Sequence, residues 1–392
     1  MLIRSDYDVI VAGGGPAGSM AARYAASRGA HVALFEKDRE IGIPVRCAEG
    51  VSEPVFRQYV EFDERWVASR IDKFKFHSPD GKTIIWKTPT PGVILNRRLF
   101  DHDLAARAAH AGAKIFTKAY VSGLMKMPDG YIVRLKHLDR EYQIRTKIVI
   151  AADGVESRVA RWAGIRTQLK LQDIEPCVQI LAGNIDVDQS ACEFYFSTKW
   201  APGGYVWVFP KGQATANIGL GINGKYAGQR TPLDYLNDFM SDKFPEAVAL
   251  TTTAGGVPVA RPLKNLVADN LVIIGDAAHQ VNPLTGGGIS SALASGKLAG
   301  EVVAEAIRSG DYSRHGLQHY QEKWDATIGA DLRHFYRLKE WVCDLNDTDF
   351  NSIAGLLENL PPEDITLTKI FKIALLKKPG LIVDALKVFA GF

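Results

Sequence analysis

The chain has 392 residues, room for one large domain or two intimate ones, and its 46% hydrophobic and 23% charged residues are those of an ordinary folded protein. A net charge of +3 is too mild to select nucleic acid as a partner, although local basic patches can still meet anionic lipid. Four scattered cysteines (Cys47, Cys177, Cys192 and Cys343), with no Cys-x-x-Cys pair, point to neither a zinc site nor an iron–sulfur cluster and demand no disulfide, so a reducing cytoplasm is the expected setting. Met1 leads almost directly into a first apolar strand, which predicts no signal peptide. No uninterrupted apolar run approaches the roughly 20 residues of a membrane span, so any membrane contact is expected to be peripheral.

In chain order, residues 7–18 read Tyr-Asp-Val-Ile-Val-Ala-Gly-Gly-Gly-Pro-Ala-Gly, a short strand running into glycines. Small helix formers follow over 19–26, and His31–Glu36 is a second apolar strand that ends in an acid. This is the strand–turn–helix–strand unit that binds a dinucleotide. Gly13 permits the tight turn, Gly15 lets the backbone approach a pyrophosphate, and Gly18 lets helix and strand pack closely. The helix start offers free N–H groups to phosphate, and Glu36 is placed to accept hydrogen bonds from ribose hydroxyls. A lone glycine cluster also makes ordinary turns; strand, helix, second strand and acid in register argue against that plain reading.

Residues 39–56 form a Gly/Pro-marked loop passing into a helix, and 70–94 read as strands around an Asp80-Gly81 hairpin turn. Asn96 to Ala111 is predicted helical, with Leu99, Phe100, Leu104 and Ala108 on one face. Strands are predicted at 131–138 and 142–150, and residues 176–222 are strand-rich. Two later segments repeat one design. Ile148–Ala152 is a buried strand ending at Asp153-Gly154, with Ser157 a candidate helix cap. Leu271–Ile274 ends at Gly275-Asp276, and Gly286-Gly287-Gly288 opens a long small-residue helix over about 288–308. Each strand delivers its acid to the carboxyl edge of the sheet, and the glycine run offers N–H groups to an anion or a flavin ring oxygen. From Tyr312 onward the chain reads as helical. The nucleotide fold is therefore discontinuous, with a strand-rich substrate domain inserted.

The three motifs, in this order and spacing, resemble FAD-binding flavoproteins of the aromatic-hydroxylase superfamily over about residues 5–310. A narrower resemblance, to the geranylgeranyl reductase family and especially its archaeal digeranylgeranylglycerophospholipid reductases, rests on four segments. They are Pro44-Val-Arg46-Cys47-Ala48-Glu49-Gly50, Gly204-Tyr205-Val-Trp207-Val-Phe209-Pro210-Lys211-Gly212, Gly255-Gly256-Val-Pro258 and Gly286-Gly-Gly-Ile289. Ala48 replaces a usual glycine, and His279 stands where several relatives carry arginine.

The resemblance implies an α/β (α+β) architecture. An FAD-binding Rossmann-like domain of the aromatic-hydroxylase type would comprise 1–70, 95–165 and 265–310, a β-rich substrate domain 71–94 and 166–264, and a helical C-terminal region 311–392. It implies FAD contacts at Ala17, Glu36, Cys47, Ala48, Gly50, Arg97, Val121, Asp276, Gly288 and Ile289. The residues themselves speak for Glu36, Asp276 and Gly288; Val121 alone would read as strand core. The implied reaction saturates double bonds of geranylgeranyl chains in archaeal ether phospholipid precursors. No second dinucleotide unit is visible, so the reductant is expected to be external: ferredoxin, reduced nicotinamide or deazaflavin.

Several residues keep two readings. Tyr205, Trp207 and Phe209 alternate to one face, as core or as one wall of an apolar pocket. Cys47, beside Arg46, is either a reactive thiol, the only side chain offered as catalytic, or a small packed residue near a flavin that itself carries the hydride. His279 either reaches the flavin edge or closes a turn. The apolar stripe of 365–392, broken at Pro379-Gly380, either packs on the body or meets lipid. The rival activities are an FAD monooxygenase or halogenase, since Tyr205-x-Trp207-x-Phe209-Pro210 also resembles the halogenase Trp-x-Trp-x-Ile-Pro pattern, and a flavoprotein electron carrier to quinone.

Overall fold

A computed structural model describes residues 2–228, 230–361, 365–375, 383, 385 and 386. Two sheets carry the architecture. The first grows from the opening motif: strand β1 (Asp6–Ala12), helix α1 (Pro16–Ala26) with proline in its first turn, and β2 (Val32–Phe35). β1 and β2 are parallel, with Val9 opposite Val32 and Ala12 opposite Phe35, and their Val, Ile and Leu side chains are buried, as a sheet covered on both faces requires.

The chain then lends β3 (Gly50–Ser52), α2 (Glu53–Arg57), β4 (Val67–His77) and β5 (Thr83–Leu95) to the second sheet. It returns with α3 (Arg97–His110), β6 (Lys114–Phe116), β7 (Ala119–Met127), β8 (Gly130–His137) and β9 (Arg140–Ala151). β9 serves three partners: its first half pairs antiparallel with β8, and its second half lies parallel between β1 and a late strand at Leu271–Ile273. Helix α3 buries Phe100, Asp101, Leu104, Ala105 and Ala108. Leu99, expected on that face, is exposed, because a 3.6-residue period carries it past the edge of the stripe.

After α4 (Arg158–Trp162), the strands β10 (Ile174–Gly183), β11 (Ala191–Tyr195), β12 (Tyr205–Pro210), β13 (Thr215–Gly221) and β14 (Val248–Pro258) complete the second sheet. Its order is β14-β10-β13-β12-β11-β4-β5-β3, antiparallel throughout except for the β4–β11 pair. Helix α5 (Pro232–Lys243), started by a Thr231–Asp234 capping box, lays Leu236 and Phe239 on one face of it.

β15 (Val267–Ala268) and β16 (Leu271–Ile273) then close the first sheet as β15-β16-β9-β1-β2-β6. Helix α6 (Ile289–Ser309) packs backbone to backbone on α1. A β-carbon on Gly296 would stand 2.3 Å from the carbonyl oxygen of Ala17, and one on Gly300 would stand 2.6 Å from that of Ala21. Helices α7 (Arg314–Asp325), α8 (Ile328–Val342), α9 (Asp347–Glu358) and α10 (Leu367–Ala374) follow. Ile370 and Ile373 of α10 pack with Ala354 and Leu357 of α9 against Ile84 and Trp86 of β5, so this part of the C-terminal stripe lies on the body. Further along that stripe Ala385 packs with Leu338 and Leu375 and Leu386 is exposed, while Lys377, Lys378, Pro379-Gly380, Leu381, Ile382 and Phe389 fall outside the described residues.

Candidate functional site

A cavity of about 1240 Å³ lies between the two sheets, and every FAD contact that the resemblance implies lines it, as do Gly13, Gly15, Gly18, Tyr205, Trp207 and Phe209; His279 does not. At one end is the first glycine turn. Gly13, at φ +111°, and Gly18 are close-approach positions: their β-carbons would meet the Ala152 and Gly13 carbonyl oxygens at 2.2 and 2.0 Å. Gly15 differs. A β-carbon there would meet nothing within 4 Å, because its α-carbon faces the cavity at the start of α1. That helix start has no side-chain cap, so its N–H groups are left for a ligand. Glu36 accepts hydrogen bonds from the backbone N–H groups of Gly14 (2.7 Å) and Asp38 (2.8 Å). A carboxylate has about four acceptor positions, so two remain for hydroxyl groups.

The Cys47–Gly50 loop lies between the sheets. Glu49 is buried at φ +74°, a left-handed conformation sustained by its contacts. Its carboxylate accepts from the Arg97 backbone N–H (2.9 Å) and the Asn217 side-chain amide (2.5 Å) and pairs with the Lys211 ammonium (2.6 Å). Lys211 also donates to the Leu95 carbonyl. Burial pulls the Lys211 pKa down, and Glu49 opposes that pull. The Arg97 guanidinium grips Asp101 through two bonds of 2.7 and 2.6 Å, a bidentate pair that holds it protonated in spite of its burial.

Burial raises the Cys47 thiol above its ordinary value, with Arg97 as the main opposing charge. Arg46, the neighbour expected to activate this thiol, is instead turned outward, half exposed and 3.9 Å from Asp38. Gly50 is tight because the Phe209 ring would lie 3.2 Å from a β-carbon there. Val121, on β7, belongs to the core of the first layer and also forms part of the cavity wall.

The two later motifs close the flavin-sized part of the cavity. Ser157 does not cap α4; at φ 44° its hydroxyl turns away and donates to the Ala277 carbonyl at 2.8 Å. Asp153 fills the capping role by accepting from the Val159 N–H at 2.9 Å. Asp276 lines the cavity, and burial raises its carboxyl pKa against the pull of Arg97. Gly288 leads into α6 without a side-chain cap. His279 closes the turn at φ 55°, with its Nε2 3.2 Å from the Thr167 carbonyl oxygen.

The far end is aromatic. Tyr205, Trp207 and Phe209 point from β12 into the cavity, where Phe74, Phe76, Trp86 and Phe194 extend the wall. Trp207 and Phe209 are each 9% exposed, and that exposed surface faces the cavity. The Trp207 indole N–H donates to Gln179 (3.0 Å), which in turn donates to the Cys47 carbonyl (3.0 Å). The Tyr205 hydroxyl donates to the Thr285 carbonyl at 2.6 Å. Residue-level reading of the sequence passed over Gln179, Asn217, Lys211 and Glu175. The available signal was in β10, where Glu175, Cys177 and Gln179 alternate with Val178 and Ile180, a polar face opposite an aliphatic one.

A nucleotide cradle at the carboxyl edge of a parallel sheet, open to an apolar chamber, defines an FAD-dependent oxidoreductase, and residues 8–208 match the FAD dependent oxidoreductase family. Residues 173–257 match the geranylgeranyl reductase catalytic domain. The digeranylgeranylglycerophospholipid reductase of Methanocella arvoryzae is 43% identical over 389 residues, 97% of this chain and 99% of that protein. The protein of the same description from Methanosarcina mazei is 45% identical over 374 residues, 93% of this chain and 92% of the relative. The chain belongs to this family of reductases. Among solved structures, a geranylgeranyl bacteriochlorophyll reductase-like protein from Thermoplasma acidophilum superposes with a TM-score of 0.90 at 33% identity, over 98% of this chain and 99% of that one. A flavin-dependent brominase shares the fold at a TM-score of 0.71 and 18% identity, over 98% and 99% of the two chains. The cofactor is FAD, and the open Gly15 cradle with its uncapped helix start fits the pyrophosphate of that group.

Proposed function

We propose that this enzyme saturates carbon–carbon double bonds of geranylgeranyl chains on the isoprenoid ether phospholipid precursors of archaeal membranes. The observation that carries the reading is the continuity of the cavity, which joins a dinucleotide cradle to a long aromatic chamber without a dividing wall. When bound and reduced by a donor, FAD would supply a hydride, the chemistry that alkene reduction needs. The chain's own residues do the rest. Gly13, Gly15, Gly18 and Ala17 would receive the pyrophosphate, and Glu36 the ribose. Arg97, Val121, Asp276, Gly288 and Ile289, with Cys47, Ala48 and Gly50, would hold the flavin end. Tyr205, Trp207 and Phe209 would present an apolar wall that keeps an isoprenoid chain dry against the cofactor, because isolated alkenes are poor hydride acceptors and gain from close positioning.

Electrons come from an external donor, a ferredoxin, a reduced nicotinamide or a deazaflavin, since the sequence holds one dinucleotide motif. The lipid is met peripherally; no helix among the described residues is long and apolar enough to cross a membrane. The test is to reduce the purified holoprotein and ask what reoxidises it. A geranylgeranyl lipid is the expected oxidant. Rapid reoxidation only by a quinone, or only by oxygen with an aromatic substrate, overturns the reading.

A further inference from the structure

Reducing an isolated alkene takes a hydride on one carbon and a proton on the other, so the cavity needs a proton donor. The buried acids near its centre differ sharply in what they already hold. Glu49 and Asp101 are committed to cations, Asp276 stands among the residues that would hold the flavin, and the Tyr205 proton is given to the Thr285 carbonyl. Glu175, partly exposed to the cavity, makes no side-chain hydrogen bond among the described residues. It lies on β10 two residues before Cys177, on the face that Cys177 and Gln179 share, and it lines the cavity.

The triple-glycine loop sits over this spot. A β-carbon on Gly286 would stand 3.7 Å from Val257, which pairs with Glu175 across β14, and 3.9 Å from the Tyr205 hydroxyl. Gly221, the neighbour on β13, leaves the floor open: a β-carbon there would lie 3.4 Å from the Glu175 carboxyl and 3.0 Å from the Cys177 sulfur.

We propose that Glu175 is the proton donor of the reduction, a free carboxyl on the cavity floor beneath the glycine loop at the flavin end. The assignment rests on the alkene-reductase reading above. The proton passes from the Glu175 carboxyl to the less substituted alkene carbon, and the π pair becomes that C–H bond. The tertiary carbon takes the hydride and its electron pair, so the alkene is reduced by two electrons and the cofactor is oxidised by two. Glu175 is left as a carboxylate and regains its proton from water.

Burial pushes its carboxyl pKa up to about 8, with only the Lys339 ammonium of α8 opposing, so it holds a proton at neutral pH and can give it up. The other titratable groups facing it are Cys177, Tyr205 and Cys343, whose protons burial holds more firmly. Lys339 is itself occupied by the Gln172 carbonyl (2.9 Å) and Asp173 (3.5 Å).

Infrared titration of the oxidised holoprotein without lipid should show the carbonyl band of a protonated carboxyl disappearing near pH 8, and Glu175→Gln should lack that band. Mixing reduced protein with a geranylgeranyl lipid should show reoxidation by Glu175→Gln slowed by about 100-fold or more, with an unchanged flavin spectrum and without the alkaline fall of the wild type. Glu175→Asp should restore part of the rate. A wild type without the titrating band, or a Glu175→Gln variant within about threefold of the wild-type rate, overturns the assignment alone. A wild type that the lipid does not reoxidise overturns the alkene-reductase reading and this assignment together.

Discussion

The two faces of the second sheet are made by the same strands and do opposite things. On one, Val178, Ile180, Val206, Val208, Ile218 and Leu220 meet Leu236 and Phe239 of α5 in a closed aliphatic core. On the other, residues one step out of phase (Tyr205, Trp207, Phe209, Gln179 and Gly221) border the cavity, with Gly219 beneath the Trp207 ring. Alternation tells which residues share a face. It does not tell whether that face is filled, because filling depends on what the rest of the chain lays across it. Here α5 covers one face, while the glycine loops of the first layer cover the other and leave room.

The largest effect should come from the filled side. Phe239→Ala should cost about 3–5 kcal/mol in denaturant unfolding, the usual range for emptying an aromatic core site. Trp207→Ala should cost clearly less, keep the bound-flavin spectrum, and alter turnover of long isoprenoid chains. Equal losses of stability from the two changes would erase the distinction between the faces.

Next, Gly219→Ala should destabilise by about 1–3 kcal/mol through overpacking. Its β-carbon would stand 2.5 Å from the Trp207 ring and 2.6 Å from the Val178 carbonyl oxygen. Adding Trp207→Ala should recover part of that loss, since the two sites share one clash. Simple additivity in a double-mutant cycle would show that the indole is not what glycine accommodates.

The same contrast of filled and open space divides the first glycine turn. Gly15→Val should fold normally and lose FAD affinity by tenfold or more, about 1.4 kcal/mol, measured as flavin retained on gel filtration and on reconstitution. Gly18→Val should instead fail to fold, because its side chain would enter the Gly13 carbonyl. Full flavin content in the Gly15→Val protein would show that the open space there is not the phosphate site.

The smallest effect belongs to His279. Burial lowers its pKa from the ordinary 6.5, against the opposing pull of backbone carbonyls. The unfolded chain therefore binds a proton more readily, and stability is lost as pH falls below 6.5 toward the lowered folded value. His279→Asn, which tolerates the left-handed backbone, should flatten that acid limb in thermal melts relative to wild type.

What could be read in advance follows from how local each feature is. The Gly13–Gly18 turn, the Asp80-Gly81 hairpin and the Gly275–Ile289 segment are encoded by neighbouring residues, and their positions were legible. The short β3 was not, since its reason for being a strand is the pairing of Gly50 with Ile94 far along the chain. Glu49 and Lys211 were quoted only as parts of motifs, because their meeting depends on strands far apart in the chain joining one sheet. Ser157 looks like a cap by residue type, yet its left-handed backbone aims the hydroxyl elsewhere. The aromatic stripe was seen with its correct phase, but whether it faced protein or void is a property of the covering layer.

Glu49 has one more consequence. It is anchored at the start of α3 on one side and by Asn217 and Lys211 of the second sheet on the other. Drawing α3 away would take a hydrogen-bond donor from a buried carboxylate, a loss of the order of 1–3 kcal/mol, so partial separation of the layers is penalised at its first step. The joint thus acts as a cooperativity device: on heating, the two sheets should come apart in one calorimetric transition, with matching calorimetric and van't Hoff enthalpies, instead of melting in sequence.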